Sequence, residues 1–300
     1  MFEQVSIIGC GLIGSSVFRA LKKNSFAKKV ITFDNDKSVS EIINKENLSD
    51  KTVSSPEEAV SNADLVLIST PLSSFEPAID SIKKHLKSGS ILTDTSSVKK
   101  GADAIVKKMN LKNISWIPSH PVAGTEKSGP KAGSSDLFRG RWTILTPDSK
   151  IKDSDVKKIS LFWESMGSKV KIMSAGDHDK ILSITSHLPH VIAYNIVKTV
   201  MGGDDEKIKK DFIRYSAGGL RDFTRIAASN PTMWKDIFID NSDLIIDGIN
   251  KFSKNLDQFK KVITEKDSKR LLEIFEESSE FREAIIKAGQ DTDKPDFGRK

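Results

Sequence analysis

Three kinds of side chain in this sequence can carry chemistry: an imidazole, a hydroxyl and guanidinium groups, each next to the end of a predicted strand or helix. His120 follows the predicted strand 115–118 and precedes Pro121. A neutral imidazole there can accept a proton or a hydrogen bond from a substrate hydroxyl, although it can also simply bond the loop backbone. Ser97 follows the preceding predicted strand, where it can bond the same hydroxyl or cap the next helix.

Two arginines follow a glycine pair later in the chain. Arg221 and Arg225 lie four residues apart where the turn at Gly218 and Gly219 leads into a predicted helix, so they are expected to share one face. Either guanidinium can bind a carboxylate through two parallel hydrogen bonds, and either can instead be a surface charge or pair with Asp222. Spacing alone leaves both arginines as candidates.

A predicted helix over 179–200 carries hydroxyl and imidazole groups along one face. Its members, at spacings of three and four, are Ser183, Ser186, His187 and His190. His-x-x-His spacing also occurs in zinc sites, but no cysteine and no H-E-x-x-H accompanies it, so we predict no metal site. We expect the face to line a substrate pocket, with Pro189 kinking the helix. Trp234, further along, is either core or pocket wall.

A nucleotide-binding turn precedes all of these residues. After the apolar strand 5–8, Gly9-Cys10-Gly11-Leu12-Ile13-Gly14 forms a G-x-G-x-x-G that leads into a helix. Such glycines make the turn, let the backbone approach a pyrophosphate and let helix and strand pack closely, while the helix N-terminus attracts the phosphates. Asp34 follows the next strand, twenty residues after Gly14, where a carboxylate accepts hydrogen bonds from a ribose. Asn35 and Asp36 follow with no arginine nearby, which favours NAD over NADP.

The elements that position these residues change character near residue 174. Before it, short apolar strands alternate with helices, which predicts an α/β fold with a mostly parallel sheet of the Rossmann type. Ligands bind outside the carboxyl ends of such strands, so Thr70 and Pro71 after one strand and Ser96 after the next are expected to line the cofactor cleft.

The second half of the chain is predicted to be all helical. Its helices cover 179–200, 207–215, 223–228, 232–250 and 256–287. The expected domains are therefore an NAD-binding domain over 1–174 and a helical substrate domain over 175–288, followed by a polar, disordered tail over 289–300.

Composition limits the class of protein. The 300 residues carry a net charge of +6, but the lysines are mixed with acidic residues, which favours a solvated surface over nucleic-acid binding. The single cysteine excludes a disulfide framework and fits a reducing compartment. No signal-peptide pattern is present, and no apolar run approaches the ~18 residues of a membrane span, so we expect a cytoplasmic protein without membrane partners.

Four segments together resemble one enzyme family. They are SHPVAGTEKSG (119–129), LFRGRWTILTP (137–147), SHLPH (186–190) and GGLRDFTRIAASNPTMW (218–234). In this order they resemble the prephenate/arogenate (cyclohexadienyl) dehydrogenases of tyrosine biosynthesis, and the resemblance runs from Val5 to about Lys287. It implies hydride transfer to NAD with loss of CO2 from prephenate or arogenate, and a homodimer formed through the helical domain.

The resemblance also implies roles for single residues. His120 would accept a hydrogen bond from the ring hydroxyl with help from Ser97. Arg225, rather than Arg221, would bind the ring carboxylate, with Asp222 orienting it. The remaining pocket positions implied by the resemblance are Ser186, His190, Glu126 and Trp234.

Two other functions are open at this point. A dehydrogenase of the β-hydroxyacid type has a catalytic lysine on the first helix of its second domain, whereas this helix offers Ser186, His187 and His190, with Lys198 well beyond. An NAD-binding sensor without activity would keep the glycine turn and Asp34 but would not need His120 and Arg225 together.

Overall fold

The computed structural model describes residues 1–202 and 206–290. These residues belong to two compact units, Met1–Ile245 and Ile246–Lys300, and all the candidate site residues lie in the first. The predicted change from strands to helices occurs between Ile172 and Ala175. The division into domains at residue 174 stays a prediction, and residues 291–300 of the predicted tail lie outside the described residues.

A six-stranded parallel sheet forms the centre of the first unit. Its spatial order is β3-β2-β1-β4-β5-β6. The strands are β1 (Phe2–Ile8), β2 (Ala27–Phe33), β3 (Lys51–Thr52), β4 (Leu65–Ile68), β5 (Ile91–Asp94) and β6 (Ser115–Ile117). The strand order reverses between β1 and β4, and ligands bind at such a switch point outside the carboxyl ends of the strands. The α/β fold class predicted from the sequence is confirmed.

A second, three-stranded sheet differs from the prediction. It contains β7 (Ser119–Pro121), β8 (Trp142–Leu145) and β9 (Lys169–Ile172), with β7 antiparallel and β9 parallel to β8. The sequence pattern predicted one mostly parallel sheet and placed His120 after the strand 115–118 rather than in a strand. Pro118 lies between β6 and β7, and because it has no N–H it cannot continue the ladder of the large sheet. The chain therefore starts a new sheet at Ser119.

Helices cover both faces of the large sheet and form the rest of the described chain. Those of the α/β part are α1 (Leu12–Asn24), α2 (Lys37–Lys45), α3 (Pro56–Val60), α4 (Phe75–Ile82), α5 (Lys99–Met109) and α6 (Asp153–Ser165). Those that follow are α7 (Ala175–Leu182), α8 (Leu188–Met201), α9 (Glu206–Arg214), α10 (Gly218–Ala227), α11 (Pro231–Asp240), α12 (Ser242–Thr264) and α13 (Ser268–Lys287). No helix within the described ranges has both the length and the apolar composition needed to cross a bilayer.

The helix predicted over 179–200 is interrupted. A π-helical turn over Ser183–His187 separates α7 from α8. Pro189 has no N–H and its ring excludes a normal bond to the carbonyl four residues back, so the ladder widens just before it. The expected shared face is therefore altered: Ser183 and His187 are buried, while Ile184 is exposed.

Two further helix boundaries also differ from the prediction. The predicted helix 232–250 is divided at Asn241 between α11 and α12. The predicted helix 256–287 is divided between α12 and α13, where Lys266 adopts a left-handed backbone with a φ of 54°. Apolar spacing continues through both points, which is why the sequence pattern did not show them.

Candidate active site

The glycine turn between β1 and α1 has the geometry of a phosphate-binding loop. A Cβ on Gly14 would lie 2.1 Å from the Gly9 carbonyl oxygen, and a Cβ on Gly9, whose φ is +90°, would lie 2.7 Å from the Ser69 carbonyl oxygen. A Cβ on Gly11 would meet nothing within 4 Å. Close packing thus requires Gly9 and Gly14, while the space beside Gly11 is open for a ligand. Leu12 and Ile13 begin α1, so their backbone N–H groups have no carbonyl partner within the helix.

Asp34 connects the end of β2 to this turn. Its Oδ2 accepts a hydrogen bond of 2.7 Å from the Cys10 N–H, and its Oδ1 accepts one of 2.9 Å from the Asp36 N–H. Each carboxylate oxygen keeps a further lone pair. Asp34 can therefore hold the turn and still accept hydrogen bonds from ribose hydroxyls.

Two hydroxyls at the carboxyl ends of β4 and β5 lack partners. Thr70 Oγ1 and Ser96 Oγ are buried, and no hydrogen bond reaches either atom within the described part of the chain. A buried polar atom without a partner is unfavourable, so a polar ligand group in this cleft would stabilise both. Pro71, beside Thr70, is exposed and precedes a 3₁₀ turn over Leu72–Ser74. Together with the open space at Gly11, these atoms fit a dinucleotide cofactor.

His120 lies in β7 and is only 8% exposed. Its Nδ1 lies 2.8 Å from His178 Nε2, and His178 Nδ1 lies 2.8 Å from Asp179 Oδ1. No described residue bonds His120 Nε2, and that nitrogen keeps some exposed surface. Burial lowers the pKa of His120 well below 6.5, and electrostatic interactions with His178, Lys99 and His187 lower it further. His120 therefore presents a neutral ring at neutral pH.

A buried ion pair holds the strand that carries His120. Lys99 and Asp94 have fully buried side chains, with Lys99 Nζ 2.6 Å from Asp94 Oδ2 and 2.7 Å from the Ser119 carbonyl oxygen. Asp94 Oδ1 accepts a hydrogen bond of 2.9 Å from the Ser119 N–H. Burial lowers the pKa of Lys99, and the carboxylate of Asp94 opposes that shift. The pair thus holds both the N–H and the carbonyl group of Ser119, which directly precedes His120.

Asp179, rather than Ser97, caps α5. The cap residue Val98 has no capping side chain, and the N–H groups of Lys99 and Lys100 donate to Asp179 Oδ1 and Oδ2 at 2.8 and 2.9 Å. The helix-cap alternative for Ser97 is therefore wrong. Ser97 is half-buried, and its hydroxyl has no hydrogen bond within the described ranges.

Two histidines from the SHLPH segment lie beside Trp234. His187 is buried, its Nδ1 accepts a hydrogen bond of 3.1 Å from Asn241 Nδ2, and burial lowers its pKa to about 4. His190 Nδ1 donates to the Ser186 carbonyl oxygen at 2.9 Å, and its ring stacks on Trp234 with centroids 3.4 Å apart. The Trp234 side chain packs with Val98 and Ile237, but its buried Nε1 has no partner among the described residues. Trp234 is thus part of the core and also offers an unpaired donor.

The charged candidates are more exposed. Arg225 is 53% exposed in its side chain, and its Nε lies 3.9 Å from Asp222 Oδ1. Burial lowers the pKa of His190, and the positive charge of Arg225 also lowers it. Arg221 and Glu126 are exposed, and within the described ranges no hydrogen bond or ion pair connects either of them to this cluster.

Comparison with known proteins identifies the family. A family model described as the nucleotide-binding domain of prephenate dehydrogenase matches residues 17–172, and a second, described as its dimerization domain, matches 174–277. A cyclohexadienyl dehydrogenase of Zymomonas mobilis is 38% identical over 95% of this chain and 97% of that protein. The chain belongs to the prephenate dehydrogenase family.

Two further relatives extend the comparison. A prephenate dehydrogenase of Bacillus subtilis is 29% identical over 95% of this chain and 76% of that protein. The crystal structure of prephenate dehydrogenase from Aquifex aeolicus with hydroxyphenyl propionate and NAD⁺ is 31% identical, with a TM-score of 0.85 over 95% of this chain and 99% of that one.

The site of this family member contains residues that sequence reasoning missed. They are Lys99, His178, Asp179 and Asn241. One signal was present: four of the chain's five histidines lie at 120 or between 178 and 190. The described residues contain no group of three or more His, Cys, Asp or Glu side chains arranged to hold a metal ion.

Replacing Lys99 with Met tests the buried pair. The substitution keeps an unbranched side chain, one atom shorter, but leaves the Asp94 carboxylate buried without its cation, so we expect the free energy of unfolding to fall by about 3–5 kcal/mol. Denaturant titration followed by circular dichroism measures it. Lys100→Met, at the exposed neighbouring position, is the control and should have almost no effect. Equal effects of the two changes would contradict the role given to Lys99.

Proposed function

We propose that this chain catalyses the NAD-dependent oxidative decarboxylation of prephenate, arogenate or both, giving 4-hydroxyphenylpyruvate or tyrosine. The observation that carries the proposal is His120, a buried neutral imidazole with one ring nitrogen unbonded by the described residues. Family membership supports the reaction. The name of the Zymomonas relative covers cyclohexadienyl substrates, and the Aquifex structure holds NAD⁺ with a hydroxyphenyl compound.

His120 and Ser97 are assigned to the oxidation of the substrate hydroxyl. When bound, NAD supplies the acceptor for the hydride that leaves the hydroxyl-bearing carbon. His120 Nε2 accepts the hydroxyl proton as that carbon becomes a carbonyl, and the unbonded hydroxyl of Ser97 can hydrogen-bond the same oxygen. The ring carboxylate then leaves as CO2, and its bonding electrons make the ring aromatic. A base of lowered pKa suits this step because it stays unprotonated at neutral pH.

Substrate binding is assigned to the helical side of the site. Arg225 is the proposed partner of the ring carboxylate, because a guanidinium can bind a carboxylate through two hydrogen bonds and the Arg225 side chain is not closely paired. His190, Ser186 and Trp234 are proposed to contact the rest of the substrate. His187 forms the buried support behind them through Asn241.

The adenosine end of the cofactor is assigned to Asp34. Its carboxylate, followed by Asn35 and Asp36, would repel a 2′-phosphate, so we propose NAD rather than NADP. The orphaned hydroxyls of Thr70 and Ser96 are proposed to bond polar groups of the cofactor.

A homodimer is also part of the proposal. In the first unit, apolar side chains of the helical segment are exposed, including Ile184, Met201, Ile213 and Tyr215. Exposed apolar side chains can be covered by association with a second copy, and the family model matched by this part of the chain is described as a dimerization domain. Sedimentation of the purified chain measures the oligomeric state. We also propose a cytoplasmic location, which fits the single, unpaired cysteine.

Formation of reduced cofactor tests the function directly. Prephenate and arogenate are offered separately, each with NAD and with NADP, and absorbance gives the initial rates. Turnover with NAD supports the proposal, and the ratio of the two kcat/KM values identifies the preferred substrate. Activity with NADP alone would contradict the role of Asp34, and NAD binding without any turnover would favour the sensor hypothesis.

Arg225→Ala should mainly weaken substrate binding. Loss of the guanidinium removes the proposed partner of the ring carboxylate, so we expect KM to rise by about tenfold or more while the affinity for NAD is unchanged. Arg221→Ala, one helical turn away and also exposed, is the matched control. If KM rises only in the Arg221 variant, the assignment is reversed.

The pH dependence of kcat/KM should report the lowered pKa of His120. Burial disfavours the imidazolium, so the active neutral ring persists as pH falls, and the acid limb should lie below pH 6.5. Initial rates at saturating NAD across the pH range locate that limb. A limb centred above pH 6.5 in the unmodified enzyme would be inconsistent with a buried base.

Replacing His120 with Asn should reduce the rate by about 100-fold or more with NAD binding intact.

A further inference from the structure

We propose that Asp179 and His178 are positioning residues that set the tautomer of His120 and, through the start of α5, the position of Ser97. The inference deepens the proposed function and rests on it for its kinetic consequences. Its structural part concerns only where protons lie on three buried side chains.

The chain of hydrogen bonds has one consistent arrangement of protons when both rings are neutral. The Asp179 carboxylate only accepts, so His178 Nδ1, 2.8 Å away, must carry a proton. His178 Nε2 is then an acceptor, and His120 Nδ1, 2.8 Å from it, must be the donor. The remaining nitrogen, His120 Nε2, is left with a lone pair. It is the atom that has to accept the hydroxyl proton.

Burial of these side chains strongly favours this arrangement of protons over any other. His178 and Asp179 have no exposed side-chain surface, so water does not compete for these nitrogens. A bond in such surroundings is stronger, and an unpaired polar group is more costly, than at the surface. When His120 becomes an imidazolium, its Nδ1–H still points at the lone pair of His178, which Asp179 makes more basic. The same pair therefore orients the base and stabilises its protonated form, as a third group does in a nucleophile–base–acid triad.

Asp179 also reaches the loop that carries Ser97. Its two oxygens accept hydrogen bonds from the first two N–H groups of α5, at 2.8 and 2.9 Å, and α5 begins two residues after Ser97. Its backbone carbonyl accepts a bond of 3.1 Å from Asn241, which in turn bonds His187. One carboxylate on α7 therefore holds both groups that are proposed to bond the substrate hydroxyl. A rotation of Asp179 would displace both.

Asp179→Asn gives the sharpest test. Asp179 Oδ1 accepts from both His178 Nδ1 and the Lys99 N–H, and Oδ2 accepts from the Lys100 N–H. An amide NH₂ in the Oδ1 position donates to His178 Nδ1 and reverses every proton in the chain, while the amide oxygen keeps the Lys100 N–H. His120 would then carry its proton on Nε2. We expect kcat to fall by about 100-fold or more, with KM and NAD affinity changed much less, because the wrong tautomer disables a base without removing it. Nitrogen-15 NMR distinguishes this orientation of the amide from the opposite one, which keeps the original tautomer.

His178→Gln and His178→Phe separate chemistry from packing. Gln can place an oxygen near the former Nε2 and accept from His120, whereas Phe fills the space but accepts nothing. We expect the Gln variant to recover a substantial part of the activity that the Phe variant loses. His85→Phe, at an exposed histidine outside the cluster, should leave activity unchanged.

Nitrogen-15 NMR of the histidine side chains supplies a readout that a purely structural role would not move. With NAD bound, unmodified protein should show His120 protonated on Nδ1, and Asp179→Asn should show it protonated on Nε2. His120 on Nε2 in the unmodified protein, or equal loss of kcat in the Gln and Phe variants, would overturn the inference. If the Phe variant does not fold, the Asp179→Asn variant and the NMR assignment still test whether Asp179 and His178 set the tautomer of His120.

The outcomes separate this inference from the proposed function. Absence of turnover in the unmodified enzyme with both substrates would be a failure of the function. The tautomer would still be measurable in that case, and its value would confirm or overturn the structural part independently.

Discussion

The Asp179 carboxylate is the constraint on which the rest of the site depends. A buried carboxylate is unfavourable unless hydrogen-bond donors surround it, and here the donors are a histidine ring and the first two N–H groups of α5. Those donors lower the pKa of Asp179 against the opposing effect of burial. Satisfying one charge therefore brings α7, α5 and, through His178, β7 into a fixed arrangement.

The buried ion pair of Lys99 and Asp94 holds the same strand, β7. Lys99 and Asp94 bond both the N–H and the carbonyl of Ser119, so the peptide before His120 is held by charged partners. Two separate networks thus meet at β7, one fixing its backbone and the other the ring of His120. A rigid support of this kind suits a base that must meet a hydroxyl within hydrogen-bond distance.

The unpartnered groups of the site are as informative as the partnered ones. Thr70 and Ser96 on the sheet side, and Trp234 on the helical side, each bury a polar atom that no described residue bonds. No described residue bonds His120 Nε2 or the hydroxyl of Ser97. Buried polar groups are seldom left unpaired, so each of these atoms is a candidate partner for a polar group of the cofactor or substrate.

The sequence by itself determined the α/β class, the glycine turn with Asp34, and His120, Ser97 and the pair Arg221 and Arg225 as candidates. Those features are local, because strand periodicity, glycine spacing and strand ends are written in neighbouring residues. It did not determine the second sheet, the π-helical turn before Pro189 or the divided helices around Asn241. Nor did it reveal that His178 and Asp179 meet His120, 58 residues away along the chain. Only the tertiary structure decided these points, since burial requires polar groups distant in sequence to find one another.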